Sequence, residues 1–224
     1  IHEEYKSLQE KMNYDYLVKS IEDKFGVIEK SISRISAIVV SLKNFSRVDM
    51  EDFGLVNLNE SIEAAIGFMK KDIHQNIEII TELNELPMIL CSGRDIHQCL
   101  LVTIKNAIDA VDQVGIIKIS SNYRESENEV DIVINDNGVG MTPEVLKKAF
   151  NPFFTTKPVG SGIGIGLSMA DRVIKRHGGS IYMSSEQGFG TTLTLRIPVK
   201  CSSEIYNPDA GVYTRKPYSK ERQD

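Results

Sequence analysis

An aspartate and two glycines form a short motif at the end of a predicted strand. Asp136 is followed by Gly138 and Gly140. A carboxylate at a strand end can accept a hydrogen bond from an exocyclic amine, and glycine lets the backbone approach a flat ring because it has no side chain. Asp-Asn-Gly is also a common tight turn, so the motif by itself indicates either a base-binding loop or only a turn.

Glycines at every second position lead into a predicted helix. They are Gly160, Gly162, Gly164 and Gly166. Their backbone N–H groups could form a concave site for an anion, and the start of a helix adds partial positive charge. The run lacks the lysine and the Ser/Thr of a P-loop, and it does not follow a first strand as a dinucleotide fingerprint does. The pattern therefore indicates either an anion-binding loop of another kind or a flexible loop.

Asn106 lies within a helix that is predicted to begin near Ser92. The apolar residues of that helix fall on one face, which places the Asn106 amide beside a core rather than in open solvent. An amide oxygen there could bind a magnesium ion that also binds phosphates. An ordinary polar helix position explains the residue equally well. The predicted buried face consists of Ile96, Leu100, Ile104 and Ala107.

A framework of short strands and helices must bring these residues together. After Arg47 the pattern predicts strands at 55–58, 77–82, 88–91, 115–123, 129–135, 180–185 and 190–198. It predicts helices at 60–71, 92–112, 143–150 and 166–177, with Asn59, Ser92 and Thr142 as N-caps. We therefore expect an α+β fold, a two-layer α/β sandwich in which helices cover one face of a mixed sheet.

Residues 14–47 predict one long helix ahead of this sandwich. Its apolar residues step by three and four along the chain, which is the spacing of a heptad seam. Such a narrow seam needs partner helices, so we expect a dimeric helical bundle. The alternative is a surface helix on a globular core. The seam residues are Phe25, Ile28, Ile32, Ile35, Val39, Leu42 and Ser46.

The composition is that of an ordinary globular chain of 224 residues. Lys and Arg number 26 against 31 Asp and Glu, and this mild acidity argues against nucleic acid as the main partner. No apolar run reaches the roughly 18 residues that a membrane span needs. The cysteines, Cys91, Cys99 and Cys201, form no CxxC pair, which fits a reducing compartment and disfavours a disulfide framework or a zinc site.

Four segments occur in order along the chain: IKNAIDA, DNGVGM, FNPFFTTK and GSGIGIGLS. This set resembles the ATP-binding domain of sensor histidine kinases, in the superfamily that also contains gyrase, the mismatch-repair protein MutL and a heat-shock chaperone. The ending HGGSIYMSSEQGFGTTLTLRIP is similar to the strand pair that closes this domain. Residues 33–47 are similar to the second helix of the family's dimerisation domain. The resemblance covers about residues 14–199.

The resemblance implies that the domain binds ATP and Mg²⁺. By position, Asp136 would bind the adenine amine and Asn106 would hold magnesium. The glycine-rich turn would bind phosphates through backbone N–H groups, and a mobile lid containing Phe153 would cover them. The implied nucleotide-binding set is Asn106, Asp136, Gly138, Gly140, Phe154, Lys157, Gly162, Gly164, Gly166 and Leu167.

Two positions depart from the family pattern. Val102 stands where the family often has a polar asparagine, four residues before the magnesium ligand. Asp109 stands where some relatives have a basic residue that contacts phosphate. Both departures concern the rate of the reaction rather than nucleotide binding.

The function implied by the resemblance is that of a histidine protein kinase core in a two-component system. It would transfer the γ-phosphate of ATP to a histidine and then to an aspartate in the receiver domain of a response regulator. We expect a cytoplasmic homodimer formed through residues 14–47, with no membrane contact by this part of the protein. We expect a helical dimerisation segment at 1–50, the ATP-binding domain at 51–199 and a polar tail at 200–224.

The histidine that accepts the phosphate is not identified in this sequence. In the family it lies on the first dimerisation helix, in a motif like His-Glu-x-x-x-Pro. His2 is followed by Glu3, but no proline follows at that spacing, so we expect the acceptor upstream of Ile1. Two alternatives stay open: a non-catalytic nucleotide-binding interaction module, and another superfamily enzyme such as an ATPase or a serine kinase.

Overall fold

The computed structural model describes residues 2–7, 16–28, 31–32, 53–70, 73, 76–111, 114–158 and 162–199. The chain divides into two compact units. The first contains Ile1–Arg47 and Lys157–Ile163, and the second contains Val48–Thr156 and Gly164–Asp224.

The described part of the first unit is mainly helical. Residues 2–7, 16–28 and 31–32 are helical, and we call these stretches together the α1 segment. Three seam residues are described, and they are strongly exposed: Phe25 at 63%, Ile28 at 51% and Ile32 at 58%. Ile35, Val39, Leu42 and Ser46 lie outside the described residues. A helix that packs against a partner helix has such an apolar seam, which is exposed in a single chain. Dimerisation through this seam stays a prediction.

The second unit contains a mixed five-stranded sheet in the order β2-β4-β5-β7-β6. Strand β2 runs parallel to β4, and the other neighbours are antiparallel. A separate two-stranded antiparallel sheet pairs β1 with β3. The strands are β1 Phe53–Val56, β2 Ile77–Leu83, β3 Ile89–Ser92, β4 Gly115–Arg124, β5 Glu129–Asp136, β6 Ser180–Glu186 and β7 Gly190–Pro198.

Among the described residues, four helices accompany these strands, and three of them have bounds close to those predicted. They are α2 Leu58–Met69, α3 Gly93–Ala110, α4 Pro143–Leu146 and α5 Gly166–Arg176. The Ser92 and Thr142 hydroxyls accept hydrogen bonds from Asp95 N and Val145 N, which confirms both predicted caps. Helix α4 ends at Leu146, earlier than the predicted Phe150.

The predicted cap at Asn59 is wrong. Asn57 caps α2 by accepting a hydrogen bond from the Asn59 backbone N–H at 3.1 Å. The Asn59 side chain is used elsewhere, because it accepts from the Ser121 hydroxyl at 2.8 Å and donates to the Asn84 carbonyl at 2.8 Å. A tertiary contact with the sheet therefore takes the side chain that the local pattern assigned to the helix start.

The core lies between the helices and one face of the sheet. Along β5 the buried residues alternate with more exposed ones, and Ile132 is fully buried while Asn135 on the opposite face is exposed. Ile62 of α2, Ile104 of α3 and Ile174 of α5 are also fully buried. Each such side chain contributes roughly 1.5–3 kcal/mol through the hydrophobic effect. The predicted α+β two-layer sandwich with a mixed sheet is confirmed.

Candidate functional site

Asp136 is a buried carboxylate at the end of the central strand β5. It is 5% exposed, and its Oδ1 accepts a hydrogen bond from the Gly138 N–H at 2.9 Å. Burial raises the pKa of Asp136 above its ordinary value, while the backbone N–H groups of Gly138 and Thr191 oppose that rise. No ion pair with Asp136 is formed within the described residues. The carboxylate therefore keeps acceptor capacity for a donor such as an exocyclic amine.

The loop after Asp136 is wedged between the end of α3 and the β6–β7 turn. A Cβ at Gly138 would collide with the Ala110 carbonyl, and a Cβ at Gly140, whose φ is +61°, would collide with the Glu186 carbonyl. The Val139 N–H donates to the Ala110 carbonyl at 2.9 Å. Glycine is needed at both positions because backbone passes directly against backbone.

Asn106 lies on the same face of α3 as the residues that contact the two glycine-rich loops. Val102 precedes it by one turn and contacts Gly166, since a Cβ at Gly166 would lie 2.7 Å from Val102 Cγ1. Ala110 follows by one turn and contacts Gly138 and Val139. Each turn of four residues spans about 6 Å. Asn106 therefore lies between the Asp136 loop and the start of α5.

The Asn106 amide is available to a ligand. The residue is half-buried, and within the part of the chain that the structure describes its side chain forms no hydrogen bond. A half-buried amide oxygen is a suitable ligand for Mg²⁺, which prefers oxygen donors and usually keeps several waters. Among the described residues, no cluster of three or more His, Cys, Asp or Glu could hold a metal ion.

The N-terminus of α5 presents backbone donors that no side chain of the described residues caps. Ile165 precedes the helix without a side-chain cap, and the first turn contains no acidic residue. The N–H groups at Gly166 and Leu167 are among those that an α-helix leaves without partners, and the helix dipole favours an anion beside them.

Phe153 and Phe154 lie against Gly164, just before α5. The Phe153 N–H donates to the Gly164 carbonyl at 2.8 Å. Gly164 has φ +73°, and a Cβ there would collide with the Phe154 carbonyl. Phe153 itself has φ +68°, an uncommon conformation for an aromatic residue, and it is 60% exposed. The segment predicted to be a lid is thus joined by backbone contact to the predicted phosphate loop.

Not every predicted residue lies in this group. Lys157 and Gly162 belong to the first unit, so their roles stay predictions. His2 is an exposed residue of the α1 segment. The two departures from the family pattern have local partners, because Val102 contacts Gly166 and Asp109 forms an ion pair with Lys105 at 3.1 Å.

Sequence reasoning missed two contributors to the site. Thr191 supplies a backbone N–H to Asp136 across the β5–β7 pair. In the sequence Val102 stands out only as a departure from the family pattern, whereas in the structure its side chain packs directly against Gly166 at the start of α5. The signal that could have found Val102 is its spacing of four residues from Asn106 on one helix face.

The chain matches known proteins over the residues that form this site. Residues 91–200 match the family model described as histidine kinase-, DNA gyrase B- and HSP90-like ATPase. The signal transduction histidine-protein kinase AtoS of Escherichia coli is 34% identical over 180 residues, covering 80% of this chain and 29% of AtoS. The chain thus spans less than a third of the length of this curated relative.

Two solved structures of the histidine kinase ThkA are similar in fold. The catalytic domain of ThkA is 30% identical with a TM-score of 0.59, and the match covers 66% of this chain and 99% of that domain. ThkA in complex with the response regulator protein TrrA is 28% identical with a TM-score of 0.65, covering 79% of this chain and 51% of ThkA. Separately, no helix among the described residues is long and apolar enough to cross a membrane.

Proposed function

This chain belongs to the histidine kinase family, and we propose that residues 51–199 are the ATP-binding catalytic domain of a sensor histidine kinase. The proposal depends on one face of α3, on which Val102, Asn106 and Ala110 lie. Val102 contacts the start of α5 and Ala110 contacts the Asp136 loop, so Asn106 lies between the two.

The base of ATP is bound at Asp136. The carboxylate accepts a hydrogen bond from the adenine amine, and its burial makes that bond strong because water does not compete for it. Gly138 and Gly140 keep the loop thin, so the backbone can lie against the flat ring.

The phosphates and their metal are bound at the other end of this α3 face. Backbone N–H groups at Gly162, Gly164, Gly166 and Leu167 hold the phosphate chain, and the Asn106 amide oxygen holds Mg²⁺. The metal neutralises phosphate charge when it is bound. Phe154 and Lys157 belong to a lid that closes over the nucleotide and excludes water.

Phosphoryl transfer needs positioning and charge neutralisation more than a covalent group of the enzyme. A neutral imidazole nitrogen of the acceptor histidine attacks the γ-phosphorus, and ADP leaves. The acceptor is a histidine on a dimerisation helix upstream of this sequence, with His2 the weaker candidate within it.

The partners proposed here are a second copy of the chain and a response regulator. The exposed seam of the α1 segment supports homodimerisation through residues 14–47. The ThkA complex with TrrA supports a response-regulator receiver domain as the protein that takes the phosphoryl group from the histidine. A two-component kinase of this kind works in the cytoplasm.

Incubation with labelled ATP tests the function. The chain extended upstream to include the acceptor helix should acquire label that is labile in acid and stable in base, as phosphohistidine is. The present chain should bind ATP and acquire less label or none. Label that survives acid would indicate a serine kinase, and phosphate release without label would indicate an ATPase.

A further inference from the structure

Helices α3 and α5 contact each other at both ends of α5. At the N-terminus of α5, Gly166 lies against Val102, one turn from Asn106. At its C-terminus, Arg176 and His177 meet the first turn of α3. The two helices therefore run antiparallel, with the proposed phosphate and metal groups at one end of the pair and a separate set of contacts at the other.

His177 is the centre of the contacts at the far end. It is 2% exposed, and its Nε2 accepts a hydrogen bond from the Ser92 N–H at 3.0 Å. Its Nδ1 lies 2.7 Å from the Val173 carbonyl and donates to it, because the Ser92 donor fixes the other nitrogen as the acceptor. Phe53 stacks on the imidazole at 5.0 Å between ring centroids. A single neutral tautomer of His177 thus links α5, the start of α3 and strand β1.

An ion pair lies beside this histidine and joins the same two helices. Arg176 at the end of α5 pairs with Asp95 in the first turn of α3. We call His177, Ser92, Arg176 and Asp95 the α3–α5 clamp. Its members are distant from the proposed nucleotide, because Asp95 and Asn106 are separated by about three helical turns, or about 16 Å.

A change of tilt at the clamp would move the other end of α5. Helix α5 has 11 residues and is therefore about 16 Å long. A tilt of about 4° at one end of a rod of that length moves the other end by about 1 Å. Because hydrogen bonds weaken steeply outside their normal geometry, a shift of that size would separate the N–H groups of Gly166 and Leu167 from a phosphate that Asn106 holds through its metal.

We propose that His177 is a positioning residue for the triphosphate end of the nucleotide, because it locks α5 to α3 and so fixes the distance between the α5 N-terminus and Asn106. The inference rests on the proposed ATP-binding function. It does not extend to the base, because the described backbone contacts of the Asp136 loop are with Ala110 and the β6–β7 turn.

Calorimetry with Mg-ATP and with adenosine tests the proposal. His177→Leu removes the acceptor for Ser92, whereas His177→Gln can keep an acceptor near the Nε2 position. In His177→Leu we expect the affinity for Mg-ATP to fall at least tenfold, which corresponds to the loss of about one hydrogen bond. The affinity for adenosine should stay within about twofold, and His177→Gln should restore much of the ATP affinity. The matched control is His97→Leu, which replaces a histidine of α3 that lies outside the clamp. This control should change neither affinity.

Each outcome decides the proposal. Equal affinity of His177→Leu and the parent for Mg-ATP, or an equal loss for Mg-ATP and adenosine in a folded variant, overturns it. If His177→Leu does not fold, the ratio of the two affinities is measured in Asp95→Asn, which weakens the other link of the clamp, and an unchanged ratio there overturns it. A parent chain that binds neither ligand would instead contradict the proposed function.

Discussion

Asp136 is the residue whose environment is hardest to explain as structure alone. A carboxylate buried at 5% exposure with only backbone N–H partners among the described residues costs free energy of folding when it is ionised. Its raised pKa expresses that cost, because the folded protein holds the proton more tightly than the unfolded chain does. Stability from this group is therefore greatest at low pH and is lost as the pH rises through its folded pKa. A ligand donor that pairs with the carboxylate offsets the cost.

The variant Asp136→Asn distinguishes the role of this side chain in ATP binding from its role in the stability of the fold. The amide oxygen can still accept from the Gly138 N–H, so the midpoint of urea unfolding at pH 7 should equal or exceed that of the parent. The affinity for ATP in calorimetry should fall about 10- to 100-fold, because a charge-assisted hydrogen bond is worth about 1.5–3 kcal/mol. Asp131→Asn, on the outer face of the same strand and paired with Arg196, should leave ATP affinity unchanged. Unchanged ATP affinity in Asp136→Asn would refute its assignment to the base.

At the scale of elements, the sequence predicts correctly those features that depend on residues close together along the chain. Both hairpins and the caps at Ser92 and Thr142 follow from turn residues and short-range hydrogen bonds. The parallel pairing of β2 with β4 was not predicted, because it depends on packing between residues far apart in sequence. Asn59 was misassigned for the same reason, since its partner Ser121 lies on β4.

The same distinction between local and long-range features applies to the site. The motifs around Asp136 and Gly166 could be read as loops, because glycines at fixed spacings describe local backbone. Their placement on one face of α3 could not be read, because it depends on Val102 meeting Gly166 and on Ala110 meeting Gly138. The sequence resemblance grouped these residues by family, whereas the contacts with α3 explain how they come together.

The contact between α3 and α5 should make stability depend on pH. Burial lowers the pKa of His177 below its ordinary value of about 6.5. Arg176 lowers it further, while the Val173 carbonyl and Asp95 raise it. The unfolded chain therefore takes up a proton before the folded one does, and the free energy of unfolding should fall as the pH drops below about 6.5.

Urea unfolding of the chain between pH 7.5 and 5 measures this effect. His177→Gln cannot titrate, so its stability should vary less over the same range than that of the parent. A parent and a His177→Gln variant with parallel profiles would assign the dependence to other groups.

At the scale of the whole molecule, the described seam residues of the α1 segment predict self-association. Phe25, Ile28 and Ile32 are each more than half exposed, and three apolar side chains at heptad spacing in water favour a partner helix. Ile32→Asp should shift the mass measured by light scattering from dimer towards monomer. Val27→Asp changes a side chain of similar exposure, 64%, that lies off the seam, and it should leave the mass unchanged. A parent chain that is already monomeric would contradict dimerisation through this segment.

The position of a bound nucleotide tests most directly whether Asn106, Asp136 and the start of α5 form one ATP site. The measurement is a crystal structure of the chain with Mg²⁺ and a non-hydrolysable ATP analogue. We expect the adenine amine within hydrogen-bond distance of the Asp136 carboxylate, Mg²⁺ on the Asn106 amide oxygen and the phosphates against the first turn of α5. A nucleotide that binds away from Asp136, or phosphates that avoid both Asn106 and α5, would contradict that assignment.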